Sequence, residues 1–326
     1  MSALAETGTA PPPGVVARPA SWRKVISFLR LGKARVYHYV YGWALGVLLL
    51  HADGLLTAGM LASLICLLAG TLAIQWSASA ADDVSGFLNG HDARNYAGRP
   101  LLTRVRKPLL TGALTVSEAK RFAASAFCCG MLAFSLAVSL QPGPVPLPAL
   151  VLVLGAPVLG VQYSCGLKLS YRPLGLEVTI LLTGAVTVLM PYWVASGALT
   201  PEVLLVSALF GLWLLLVVSY GNASDRAGDA AVRRRTLAVL LPASWFGALL
   251  HLLVAVHAGL LVLLFTSTRM EPACMVLSTP VVALQLAQLY YGVYRRELRT
   301  ARFLVLLSID AGAAALATAI LTGLAP

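Results

Sequence analysis

The residues in this sequence best suited to chemistry are two groups of carboxylates, each set among arginines and lysines. The second group reads Gly221-Asn222-Ala223-Ser224-Asp225-Arg226-Ala227-Gly228-Asp229, followed by Val232-Arg233-Arg234-Arg235-Thr236-Leu237. On a helix turning about 100° per residue, Asn222, Asp225 and Asp229 fall at about 0°, 300° and 340°, one narrow stripe of oxygen donors. Hard oxygen ligands held in this way suit Mg²⁺, which keeps its waters and takes a substrate phosphate as co-ligand. The first group runs from Asp82-Asp83 through Gly86, Asn89 and Gly90 to His91-Asp92. Its acids do not share one helical face, and the two glycines predict that the helix ends and a loop brings Asp92 back. A cationic run, Arg104-Val105-Arg106-Lys107, then closes on a turn from Pro108 to Gly112. Carboxylates clustered beside so many cations are what a metal-bridged polyanion site needs.

The elements that hold these groups follow from the apolar residues. Of 326 residues 59% are apolar and 11% charged, against about 25% charged in a soluble domain, which excludes an ordinary water-soluble globule. After an Ala/Pro/Gly-rich tail, expected to be disordered over residues 1–25, nine apolar segments follow near 36–51, 57–80, 119–140, 146–163, 175–195, 202–220, 237–265, 273–293 and 303–324. In lipid such segments must be helices, because every backbone group needs an internal partner. The formal net charge of +11 would suggest nucleic acid in a soluble protein, yet sorted by connection 23 of the 24 basic residues share one side and only Arg269 lies opposite. That segregation supports nine crossings with a cytoplasmic N-terminus, removes nucleic acid as a partner and leaves the lipid bilayer. The expected fold class is therefore an all-α polytopic membrane protein, nine helices around a central cavity, with residues 26–326 as one domain. The two acidic groups end the second and sixth helices, a shift of four that reads as a four-helix duplication plus a ninth helix and places them across one central cavity. Five cysteines without a CxxC pair read as small core residues rather than zinc ligands or disulfides.

These motifs resemble the UbiA superfamily of intramembrane prenyltransferases: an Asp-rich motif after helix 2, then Lys107-Pro108-Leu109-Leu110-Thr111-Gly112, then Asp225-x-x-x-Asp229 followed by Arg235-Thr236-Leu237-Ala238-Val239. Asn222-x-x-Asp225-x-x-x-Asp229 and the loop from Tyr163 to Tyr171, with Glu177 beyond it, are similar to the branch that prenylates a dihydroxynaphthoate. The first motif departs from the family's Asn-Asp-x-x-Asp, with Asp82 in the Asn slot and Gly86 in the second Asp slot, and Arg233 stands where a Gly is usual.

The resemblance implies a Mg²⁺-dependent enzyme that ionises a prenyl diphosphate and transfers the prenyl group to an aromatic or quinone-precursor acceptor. Asp82, Asp83, Asp92, Asn222, Asp225 and Asp229 are the implied metal ligands, with Asp83, Asp92, Asp225 and Asp229 at the catalytic centre. Arg106, Lys107, Lys168 and Arg235 are the expected diphosphate donors. Tyr37, Tyr41, Tyr163 and Tyr171 are expected to line the chamber where an allylic cation forms, their ring faces stabilising it. Glu177 meets the positive end of a helix dipole, and Asp310, an ionisable residue inside the last helix, is a functional suspect by position. The site is expected at the cytoplasmic face, in a bacterial cell membrane. A membrane terpene cyclase on the same scaffold is the alternative activity. A secondary transporter is disfavoured, since apart from Asp310 the acids lie at helix ends or in loops.

Overall fold

The computed structural model describes residues 21–32, 37–97 and 106–323. Residues 1–20 of the expected tail, and Arg99 and Arg104 of the cationic connection, lie outside that range; Ser21–Leu31 forms a first helix, α1. Helices follow at Tyr37–Ala52 (α2), Leu61–Leu88 (α3), His91–Asn95 (α4), Val116–Ser139 (α5), Leu147–Val161 (α6), Gly175–Ser196 (α7), Pro201–Ala231 (α8), Leu237–Leu240 (α9), Ala243–Ser267 (α10), Thr279–Leu289 (α11) and Leu298–Gly323 (α12). Among the described residues there is no strand. Seven helical stretches of the described residues are long and apolar enough to cross a membrane. The other two apolar segments form α2 and α6, of 16 and 15 residues, short of the roughly 20 that a bilayer asks for.

Several boundaries differ from the periodicity, each for a local reason. α3 runs straight through Gly86 and stops at Leu88, and the reversal falls on Gly90 at φ +77°. The stretch beginning at Leu237 breaks before Pro242, whose ring forces Leu241 into extended backbone at ψ 142°. The segment entering α11 starts as a 3₁₀ turn at Pro272–Ser278, and α11 runs out into a π-helical turn at Tyr290–Tyr294. α8 extends far past residue 220 and carries the whole second acidic motif.

Along the chain each apolar helix packs on the next, and α12 returns to α2, closing a ring; α8 lies deepest, with Phe210, Trp213, Leu216 and Tyr220 inaccessible. Because lipid is as apolar as the side chains, close backbone approach must supply much of the association. On α2, Gly42-x-x-x-Gly46 does so: a Cβ on Gly42 would meet the Thr187 hydroxyl, and one on Gly46 the Val188 carbonyl, both on α7. Interhelical hydrogen bonds add to this, with Ser63 and Ser77 of α3 donating to the carbonyls of Ala137 (2.7 Å) and Ala123 (2.8 Å) on α5. Large apolar side chains such as Ile65, Leu132, Leu182, Leu252 and Leu286 face outward, as lipid-facing positions should.

The two ends of the bundle differ in charge. At one end Arg269 bonds Asp53 at 2.7 Å and Glu202 at 3.1 Å, tying α2, α8 and the exit of α10 together. At the other end α5 opens with a capping box between Thr115 and Glu118, and Lys24 of α1 holds Glu118 at 2.6 Å. That second end carries both acidic motifs.

Candidate active site

Three short connections place the site. The left-handed Gly90 turns the chain into α4, which brings His91 and Asp92 under the end of α3. The turn after Lys107 aims its ammonium at the same place. Past the end of α8, Arg233 takes a left-handed conformation at φ +62°, the position where the resembled motif has a glycine. That one residue turns Arg234 inward and leaves Arg235 exposed.

The two acidic motifs meet through shared cations. Lys107 Nζ donates to Asp83 Oδ1 at 2.8 Å and lies 3.0 Å from Asp92 Oδ1, so both carboxylates flank one point of positive charge. His91 Nε2 is 2.9 Å from Asp229 Oδ1 on α8, and its Nδ1 is 3.7 Å from Asp92 Oδ1. One imidazole thus bridges carboxylates that are 137 positions apart in sequence, Asp92 and Asp229. Asn95 Nδ2 reaches the same ring nitrogen at 3.0 Å, and its side chain fits against α8 because residue 228 is a glycine. Arg234 completes the cluster: its guanidinium donates to Asp82 and to Ser164 Oγ at 3.1 Å, and lies 3.8 Å from Asp229. Asp83, Asp92 and Asp229 are at most 4% exposed, and charges buried that far are stable only when paired.

The pairing sets the protonation states. Burial opposes a charge on His91, but its bonds to Asp229 and Asp92 outweigh that and hold it up at about 9. Burial likewise raises Asp92, and His91 and Lys107 more than reverse it, so the carboxyl is held below its ordinary range. Lys107 and Arg234 lie above theirs, burial being overcome by the surrounding aspartates. His91, Asp92, Lys107 and Arg234 are therefore charged near neutrality.

Gly86, the departure from the family pattern, has a structural role here. A Cβ at this position would stand 3.1 Å from the Asp92 carboxyl carbon, so the space of a second aspartate on α3 is filled by Asp92 folding back.

The remaining expected residues are placed as follows. Asn222 and Asp225 lie half-exposed on α8 above Asp229, and the Arg302 guanidinium of α12 lies 3.7 Å from where a Cβ on the adjoining Gly221 would stand. Glu177, at the start of α7, accepts the Leu237 amide on its Oε1 at 2.7 Å and so caps α9. Tyr163 and Tyr171 present their rings to Arg234 at 6.0 and 5.7 Å, and Asn89 donates to the Tyr171 hydroxyl at 2.6 Å. Lys168 and Arg106 are exposed, Lys168 lying over the outer side of Tyr171 at 5.9 Å. Tyr37, Tyr41 and Asp310 form a different group: Tyr41 interacts with Asp310, the Tyr37 and Tyr41 rings are 5.6 Å apart, and the His38 ring lies 4.0 Å from Tyr37 and 6.1 Å from Tyr41. Eight residues along α12 put Asp310 about 12 Å deeper in the bundle than Arg302.

His91, Arg234 and Asn95 are cluster residues that spacing alone does not single out, as is Arg302 beside Gly221 of the second motif. Among the described residues, no three His, Cys, Asp or Glu side chains lie together as a ready metal cage, because Lys107, His91 and Arg234 stand between the carboxylates.

Solved structures share this architecture. A UbiA homologue from Archaeoglobus fulgidus, described with bound DMAPP and Mg²⁺, superposes with a TM-score of 0.62 at 15% identity, covering 89% of this chain and 99% of that one. A digeranylgeranylglyceryl phosphate synthase gives 0.61 at 14% identity over 91% of this chain and 98% of its own. An apo UbiA homologue from Aeropyrum pernix K1 gives 0.61 at 17% identity over 85% and 97%. At these identities the likeness speaks for the fold. No curated protein matches the sequence. The sequence profile of the UbiA prenyltransferase family matches residues 40–309, from α2 to α12 and through both acidic motifs, and the chain belongs to that family.

Proposed function

We propose that this enzyme is a Mg²⁺-dependent intramembrane prenyltransferase that ionises a prenyl diphosphate and passes the prenyl group to an aromatic or quinone-precursor acceptor. The observation that carries this reading is the convergence of Asp83, Asp92 and Asp229, from both motifs, on Lys107, His91 and Arg234. The donor set fits a hard divalent ion: it consists of oxygens alone, and two of its carboxylates already share one cation at 2.8 and 3.0 Å. Asp82, Asp83 and Asp92 would hold Mg²⁺ on one side of the site and Asn222, Asp225 and Asp229 on the other. Held there, Mg²⁺ would supply positive charge to offset that developing on the departing diphosphate. The DMAPP and Mg²⁺ described with the Archaeoglobus relative support this assignment.

The chain's own residues do the rest. Lys107 and Arg234 donate to phosphate oxygens as the carboxylates turn from them, Arg234 with its planar fork and Lys107 as a point charge. Arg106, Lys168 and Arg235 stand at the rim, where they attract the polyanion. Arg302, beside the Asn222–Asp225 stripe, faces the diphosphate from α12. The apolar walls of α2, α8 and α12 exclude water from the allylic cation until an electron-rich ring captures it at carbon and loses a proton. Tyr41 and Asp310 lie deeper, along the prenyl chain. We place residues 26–326 in one domain that crosses the membrane nine times, with its N-terminus and active site on the cytoplasmic face of a bacterial cell membrane.

Mass spectrometry of products from purified protein given geranyl, farnesyl or geranylgeranyl diphosphate, with and without phenolic acceptors, tests the reading. Prenylated acceptor formed only with Mg²⁺ is expected. Diphosphate release at full rate without acceptor, with a cyclic hydrocarbon as product, would overturn the transferase assignment in favour of a cyclase.

A further inference from the structure

Outside the acidic cluster, a groove of about 830 Å³ runs between α3, α5 and the loop from Val161 to Tyr171. On α3 it is lined by Ser77, Ala81, Val84, Ser85 and Leu88, a stripe at helical spacing; Asp83 lies about 200° round the helix from Ala81, on the other face. On α5 its wall is Lys120, Ala123, Ala124 and Phe127. From Ser77 to Leu88 the stripe is about 16 Å long, roughly one leaflet of a 30 Å hydrocarbon core.

The two ends of the groove differ. Toward Phe127 the walls are apolar, while Lys120 stands on the α5 side about level with Ala81, and Lys168, Asn89 and the Tyr171 ring lie by the end of α3; among the described residues no carboxylate is in the lining. The acid nearest Lys120 in sequence, Glu118, is taken up by Lys24 at 2.6 Å and by its own Thr115 cap. Across the loop, Asp82 is held by Ser164 at 2.6 Å and by Arg234. Two ammonium groups therefore face one largely apolar groove, Lys120 from the first turns of α5 and Lys168 from the loop beside the end of α3.

We propose that this groove binds one anionic phospholipid, its phosphate between Lys120 and Lys168 and one acyl chain laid along α3 and α5. An apolar slot of leaflet depth inside a bilayer is filled by an acyl chain, and the paired lysines select for a negative headgroup. The groove adjoins the reaction centre: Ser164 and Tyr171 form the wall between them, and Lys168 stands at the rim they share.

Native mass spectrometry of the purified full chain, titrated with phosphatidylglycerol or with phosphatidylcholine of the same chains, tests the proposal. One phosphatidylglycerol should be retained at least about 5-fold more tightly than phosphatidylcholine, since a basic residue near a lipid phosphate is worth about 1 kcal/mol. Lys120→Gln should remove most of that preference, and Ala124→Trp should block the slot for both lipids. Asp229→Asn, in the acidic cluster, should leave lipid binding unchanged. Equal retention of the two lipids, or an unaltered preference in Lys120→Gln, overturns the proposal. So does one-for-one displacement of phosphatidylglycerol by geranylgeranyl diphosphate, which would make the groove part of the donor site.

Discussion

Arg234 and Arg235 differ by one position and by everything in their surroundings. Arg234 is buried against Asp82, Ser164 and Asp229, whereas Arg235 is exposed. Arg234→Lys, which keeps the charge but loses the fork, should lower turnover by about 10²-fold, and Arg235→Lys should stay within a few-fold of wild type, both read from initial rates of diphosphate release. Gly86 makes a second contrast. Gly86→Asp restores the family's aspartate but drives a carboxylate into Asp92, so it should reduce activity well below that of Gly86→Ala, and a rate at or above wild type would refute the account of Asp92 folding back. His91 contributes a pH dependence to the metal-free protein. Its folded value of about 9 lies above its ordinary 6.5, so its ion pairs stabilise the fold fully below pH 6.5 and are lost as pH rises through 9. In EDTA, wild type should lose more Tm than His91→Gln between pH 6.5 and pH 10; equal losses would remove His91 as the bridge between the motifs.

At the scale of elements, the helices were legible where period and composition agreed, and the connections were not. The stripe of Asn222, Asp225 and Asp229 follows from 3.6 residues per turn, and α8 carries it as one continuous helix. The inward turn of Arg234 depends on a left-handed Arg233, a conformation that a non-glycine residue rarely adopts and that no spacing announces. The role of Glu177 was equally hidden, because its partner is a backbone amide 60 positions away, at Leu237. Gly86 read as a helix stop and is instead a space, since only tertiary contact reveals what a missing side chain admits. The Gly42-x-x-x-Gly46 contact of α2 with α7 is a prediction on this scale. Gly46→Val would force a side chain against the Val188 carbonyl, and thermal unfolding in detergent should show a loss of about 1–3 kcal/mol, whereas Ala52→Val, at the helix end, should cost far less.

For the whole molecule, the surplus of basic residues and the ring of apolar helices describe one arrangement: a membrane enzyme with a charged centre near one end of its bundle. The acidic motifs come from opposite halves of the chain and are bridged by His91, which makes them a single site rather than two. Residues in one site fail together, so their substitutions do not multiply. The most direct test is the rate of Mg²⁺-dependent diphosphate release from a prenyl diphosphate by wild type, Asp92→Asn, Asp229→Asn and the double variant, in detergent with folding checked by circular dichroism. The account predicts that each single variant loses at least about 10²-fold and that the double variant is little worse than either. Single variants that keep the wild-type rate, or losses that multiply in the double variant, would contradict it.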